Sequence, residues 1–255
     1  MRLTTLGTGT ISLNQRRACA GHLVEAAPVR LLMDCGSGSA RRLAELGCDW
    51  WGITHVALTH FHADHVADLP TLIFAWRHGR IPAREAPLEV IGPVGTAALL
   101  ERFASAFGAW VSQPGFALTV REIAPDECVE LGGGATLTAR KVPHTDESVA
   151  YSVARGGRRL VYTGDTGVDE GLGTWAAGAD VLLAECSLPE AMAVPIHLTP
   201  GDCARLAAEA SPALLALTHL YPPLEAVDVA AEVAAGWAGR VVVAYDGWSH
   251  DIEEH

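Results

Sequence analysis

One hexapeptide constrains this chain more than any other feature: His60-Phe61-His62-Ala63-Asp64-His65, directly after the apolar run Val56-Ala57-Leu58-Thr59. Three imidazoles and a carboxylate in six residues cannot form a hydrophobic face. Packed together without a cation, they leave repelling or unpaired polar groups. A strand must therefore end where a cation can sit. His60 and His62, two apart, can address one metal, while Asp64 and His65 on the following turn address another. Nitrogen and carboxylate donors without a thiolate suit Zn2+, with Mn2+ or Fe2+ as alternatives.

The remainder alternates short apolar runs with helical patterns. The strand candidates are Arg2–Leu6, His22–Glu25, Arg30–Asp34, His55–Thr59, Leu88–Ile91, Leu118–Ile123, Thr136–Val142, Ser148–Ala154, Arg159–Thr163, Val181–Glu185, Leu214–Thr218 and Arg240–Tyr245. The helix candidates are Ala40–Leu46, Val66–His78, Thr96–Phe107, Gly171–Ala177, Pro200–Ala210 and Leu224–Gly236. Thr199 before Pro200 is a helix start, and Gly156-Gly157 reads as a two-residue hairpin turn. No tandem repeat, low-complexity tract or linker interrupts the pattern. Hairpins first, then a helix after each metal-bearing strand end, imply sheets sandwiched by helices in a single domain over residues 1–255.

Composition sets the outer limits. An apolar share of 49% excludes a disordered chain, and no apolar run approaches the ~20 residues of a membrane span. Met1-Arg2 leads straight into a strand-like run, so export is not indicated and a cytoplasmic protein is expected. The six cysteines form no C-x-x-C pair and read as buried free thiols of a reducing compartment; Cys186 reads as packing. With 18 basic against 30 acidic residues, the formal net charge of −12 argues against a general polyanion binder.

The hexapeptide resembles H-x-H-x-D-H, the signature of metallo-β-lactamase fold hydrolases, and later motifs of that family follow in order. His144 in Val142-Pro143-His144-Thr145 is similar to the family's third histidine. Asp165 in Tyr162-Thr163-Gly164-Asp165-Thr166 is similar to its bridging aspartate, and His219 in Leu217-Thr218-His219-Leu220 to its final histidine. The resemblance implies an α/β fold, an αββα sandwich of two mixed β-sheets flanked by helices. It implies two Zn2+ per subunit, one on His60, His62, His144 and Asp165, the other on Asp64, His65, Asp165 and His219. Two dications ~3.5–4 Å apart can share a nucleophilic hydroxide and stabilise charge on a phosphoryl or carbonyl oxygen. Asp68 and Asp246 are candidates for orienting the ligating imidazoles.

Within that family the chain looks most like the ribonuclease Z-like phosphodiesterases. Leu6-Gly7-Thr8-Gly9-Thr10, Leu32-Met33-Asp34-Cys35-Gly36-Ser37-Gly38, Asp68-Leu69-Pro70 and Val90-Ile91-Gly92-Pro93 carry the likeness, with Ser37 where an acidic residue is usual. In that group a strand-end glutamate orients a histidine that protonates the leaving oxygen, which implies these roles for Glu185 and His197. Asp64, His197 and Glu185 are then the catalytic residues. The plainer alternative is that His197 caps the helix beginning at Pro200.

The chain also departs from that group. Its long members carry an RNA-clamping arm between the third histidine and the bridging aspartate; here only residues 145–164 intervene, and a hairpin consumes them. The basic groups Arg16-Arg17, Arg41-Arg42, Arg77 with Arg80 and Arg84, and Arg155 with Arg158-Arg159 read as surface patches, although Arg16-Arg17 could reach the site. Trp76 reads as core and Tyr221 as a candidate pocket wall. The expected activity is a dinuclear zinc phosphodiesterase on a small-molecule substrate. A lactonase, thioesterase or arylsulfatase, a ribonuclease Z-type endonuclease, and a non-hydrolytic iron protein are the alternatives. A homodimer is implied by resemblance alone.

Overall fold

Strands buried on both faces need apolar residues at every position, and period-2 alternation sends successive side chains to opposite layers. The run Leu31-Leu32-Met33 shows how that builds this protein. In the computed structural model, which describes residues 1–253, Leu31 and Met33 face a core between two sheets while Leu32 faces an outer helix layer. Val181-Leu182-Leu183 repeats the pattern in the other sheet.

The first sheet contains β1 (Arg2–Gly7), β2 (Gly21–Ala26), β3 (Val29–Cys35), β4 (His55–Ala57), β5 (Leu88–Gly92) and β6 (Leu118–Glu122). The second contains β7 (Cys128–Gly132), β8 (Ala135–Lys141), β9 (Val149–Arg155), β10 (Arg158–Tyr162), β11 (Val181–Glu185), β12 (Leu214–Thr218) and β13 (Val241–Val243). A last strand, β14 (Ser249–Asp251), returns to pair antiparallel with β1, Arg2 opposite Asp251, and completes seven strands in each sheet. Strands β3 to β6 run parallel, as do β10 to β13, and the rest pair antiparallel, so both sheets are mixed.

The helices are α1 (Ser39–Glu45), α2 (Ala63–Val66), α3 (Leu69–His78), α4 (Thr96–Phe107), α5 (Leu172–Trp175), α6 (Pro200–Ala210) and α7 (Val229–Gly236). Leu69, Ile73, Trp76 and Leu99 cover the first sheet, while Leu172, Ala204, Ala207 and Val233 cover the second. This is the expected αββα sandwich. Gly156-Gly157 turns β9 into β10, and Thr199 closes a capping box with Asp202 at the start of α6.

Two differences from the sequence reading have local causes. The helix expected over Val66–His78 is broken in two, because the Asp68 amide turns to the Cys35 carbonyl and Pro70 starts α3 afresh. The region expected to be helical over Leu224–Gly236 is a 3-10 turn, Pro222–Ala226, followed by α7, which Asp228 caps. Among the described residues no helix is long and apolar enough to cross a membrane.

Candidate metal centre

Parallel strands deliver their carboxyl ends to one edge, the usual place for a ligand in such sheets. After β4 the chain continues through Thr59 to His60 and His62, and the short α2 carries Asp64 and His65. The turn between β8 and β9 supplies His144. Beyond β10, Gly164 at φ 58° lets the chain pass Thr59, where a Cβ would lie 3.0 Å from that side chain, and so presents Asp165. Glu185 ends β11, and His219 follows β12 at φ 58°.

All seven side chains expected at the metals converge. His62 Nδ1 lies 3.1 Å from both His60 Nε2 and His144 Nε2. Asp165 Oδ2 lies 3.8 Å from His60 Nε2 and 3.7 Å from His144 Nε2. On the other side, His219 Nε2 lies 3.4 Å from His65 Nε2 and 3.5 Å from Asp64 Oδ2. Asp165 Oδ1 stands 3.2 Å from His65 Nε2 and 3.3 Å from His219 Nε2, so its two oxygens address two different groups.

These contacts fit cations better than hydrogen bonds. His62 Nδ1 has at most one proton and faces two nitrogens. Asp165 Oδ1 is buried and has no hydrogen-bond partner in spite of its two close imidazoles. Donors at 2.0–2.1 Å around a tetrahedral ion sit about 3.3 Å from one another, close to the spacings found here. The cluster can therefore hold divalent metal.

Four of the five inward-facing imidazoles, those of His60, His65, His144 and His219, are backed by an outer partner. Thr59 Oγ1 is 3.0 Å from His60 Nδ1, and the Ile196 carbonyl 3.0 Å from His144 Nδ1. Asp34, fully buried at φ 54°, accepts from the Thr59 amide at 2.8 Å, Tyr162 Oη at 2.9 Å and His65 Nδ1 at 2.8 Å. Burial would push the His65 pKa down, but Asp165 and Asp34 outweigh it and hold it well above that of a free imidazole. Burial opposes the charge on Asp165 as well, yet His219, His65 and His60 hold its pKa well below the usual carboxylate range. Lys141, the chain's lone lysine, gathers the carbonyls of Val142, Thr145 and Ser148 around the turn that presents His144.

Asp68 and Asp246 do not orient the imidazoles. Asp68 accepts from the Gly38 and Ala40 amides at the start of α1, and Asp246 from Thr8 and Ala18. Asp34 orients His65 instead, although the sequence marks it only as part of an aspartate–glycine turn. Asp34→Asn removes the charge facing His65 and is expected to weaken metal binding roughly 10–100-fold. Competition with a chromophoric chelator measures this; an unchanged affinity would show that Asp34 serves only the packing.

Beside the cluster, Glu185 Oε1 accepts from His197 Nδ1 at 2.9 Å and from the Thr166 amide at 2.7 Å. Burial lowers the His197 pKa, but Glu185, with Asp165 and Asp64 beyond it, raises it above the ordinary value on balance. His197 does not cap α6, since Thr199 does. The half-buried Tyr221 ring lies 6.1 Å from that of His197, on the wall of the site.

Residues 29–220 match the family described as "Beta-lactamase superfamily domain". The chain belongs to that superfamily. An uncharacterised protein of Mycobacterium leprae is 34% identical over 262 residues, covering 99% of this chain and 89% of that protein. Ribonuclease Z of Mycobacterium bovis is 30% identical over 282 residues, covering 100% of this chain and 99% of its own. The crystal structure of YhfI from Bacillus subtilis, a metallo-β-lactamase fold protein, superposes with a TM-score of 0.84 at 23% identity and covers 98% of both chains, a likeness of fold. This member of the superfamily has the metallo-β-lactamase fold and is a metal-dependent hydrolase.

The superfamily member's arginines are largely committed elsewhere. Arg17 bonds Thr8 and the Ala244 carbonyl, and Arg16 faces Glu225. Arg84 is buried, spending its guanidinium on the carbonyls of Ala86, Trp51, Ile53 and Pro87. Trp76 is core, its Nε1 donating to the Trp50 carbonyl, and Cys186 is fully buried, as expected of a packing residue.

Proposed function

We propose that this chain, acting as one domain, is a dinuclear zinc phosphodiesterase that hydrolyses small or short phosphodiesters. The observation that carries the reading is the His197–Glu185 pair set against a cluster whose shared aspartate serves two groups of ligands. His60, His62, His144 and Asp165 would hold one ion, and Asp64, His65, Asp165 and His219 the other. Bound there, divalent ions supply Lewis-acid stabilisation of phosphoryl charge and a water that ionises near neutral pH. Glu185 keeps the His197 Nδ1 proton engaged, so that Nε2 can hand its proton to the departing alkoxide. Tyr221 shields one side of the reacting group.

What surrounds the cluster supports a small substrate. Met192, Val194 and Ile196 are exposed in the segment leading to His197, and the Ile196 carbonyl touches His144. The residues between His144 and Asp165 are spent on β9, β10 and their connections, which leaves no arm to grip an RNA. The relative named Ribonuclease Z supports a phosphodiester as the bond cleaved, and keeps RNA cleavage as the second reading.

Zinc-loaded protein is expected to hydrolyse bis(4-nitrophenyl) phosphate and to leave structured RNA intact. Rates no higher than those of the metal-stripped protein, with each of several divalent metals, overturn the proposal. RNA cleavage favours the second reading.

A further inference from the structure

Ser187 is fully buried and has one hydroxyl proton, yet four polar atoms surround its Oγ. Glu185 Oε2 lies at 2.5 Å, His219 Nδ1 at 3.0 Å, the His219 carbonyl at 3.1 Å and His197 Nδ1 at 3.4 Å. One hydroxyl cannot donate to all of them, and proton bookkeeping selects the arrangement. His219 Nε2 points at Asp64, His65 and Asp165. For that nitrogen to offer a lone pair to a cation, the ring proton must sit on Nδ1, where Ser187 Oγ is its acceptor.

The hydroxyl proton then goes to its nearest acceptor, Glu185 Oε2, as a short charge-assisted bond. The same carboxylate's Oε1 takes the His197 Nδ1 proton at 2.9 Å, better than the 3.4 Å contact to Ser187. A chain of defined direction results: His219 Nδ1–H to Ser187, Ser187 O–H to Glu185, and His197 Nδ1–H to the opposite oxygen of Glu185. Both imidazoles are left with Nε2 for the site.

We propose that Ser187 is a positioning residue whose hydroxyl ties His219 and His197 to a single carboxylate and so sets the tautomer of His219 and the aim of both rings. The inference rests on the proposed roles of His219 as a metal-holding group and His197 as a proton donor. Only a side chain that donates and accepts at once can close the chain; alanine does neither, and threonine does both. His219 also holds a left-handed φ that a non-glycine residue adopts at a cost, so its ring needs anchoring from outside its own backbone.

The test compares Ser187→Ala and Ser187→Thr with the natural protein by two measurements: stepwise Zn2+ affinity from chelator competition, and nitrogen NMR of the histidine rings. Ser187→Ala is expected to weaken one metal equivalent roughly 10–100-fold and to cost His219 its single Nδ1–H tautomer. Ser187→Thr is expected to restore both. Should the alanine variant fail to fold, Ser187→Cys, a weak donor of similar shape, is expected to show the loss in smaller degree. Natural affinities and ring signals in the alanine or cysteine variant, or a threonine variant no better than alanine, overturn the inference. Neither measurement is hydrolysis, so a protein inactive on phosphodiesters refutes the proposed function and leaves this test intact.

Discussion

Asp165→Ala is expected to leave no tightly bound divalent metal and to lower phosphodiester hydrolysis by about 10³-fold or more. The magnitude follows from several kcal/mol of charge stabilisation supplied by metal, at 1.36 kcal/mol per tenfold in rate. The breadth of the effect follows from geometry, because among the described residues Asp165 faces both groups, through Oδ2 to His60 and His144 and through Oδ1 to His65 and His219. Its loss should also change how protons compete with metal. In the metal-free protein Asp165 is the strongest of the groups that raise the His65 pKa against burial. A raised pKa keeps a proton on the ring that a metal must displace, so affinity for metal falls as pH drops through it. Without Asp165, His65 retains Asp34 but titrates lower, and the residual affinity should persist to lower pH than in the natural protein. Elemental analysis and titrations at several pH values report both effects. An alanine variant that binds as much metal as the natural protein would show that Asp165 is not a shared ligand.

The site was legible because its donors are chemically unlike their neighbours and lie at the ends of apolar runs. His60 to His65 stand out after Val56-Ala57-Leu58, and Asp165 and His219 each close a strand pattern. Asp34 and Ser187 were harder to read. Each also follows an apolar run, but a single acid or hydroxyl has no spacing signature, and its importance lies in partners far along the chain, as with Tyr162 Oη on Asp34. The same limit applied to the fold. Core strands declared themselves through continuous hydrophobicity, whereas the edge strand β7 offers only Val129 and Leu131 to the core, and β14 exists because Ser249–Asp251 meets the start of the chain. The break before α3 did leave a sign, since Pro70 suits a helix's first turn and not its interior.

His197→Ala is expected to separate substrates by leaving group. An alkyl phosphodiester expels an alkoxide that needs a proton, and loss of the donor should cost about 10²–10⁴-fold. A 4-nitrophenyl ester expels an anion stable without one, so its rate should change far less. The substitution is clean in one respect: α6 is capped by Thr199 and Asp202, so removing the imidazole leaves the helix start intact. The pH dependence carries the sign. Burial lowers the His197 pKa, but Glu185, with Asp165 and Asp64, raises it by more, so the net shift is upward and the ring stays protonated to higher pH. Alkyl ester hydrolysis should therefore decline as pH rises through that value. Glu185→Gln removes the charge but keeps an oxygen near His197 Nδ1, and should move the decline to lower pH. Steady-state kinetics on paired alkyl and nitrophenyl esters across pH test both variants. Equal losses on the two esters would mean that His197 holds the substrate in place without giving it a proton, because only proton donation depends on how basic the departing oxygen is.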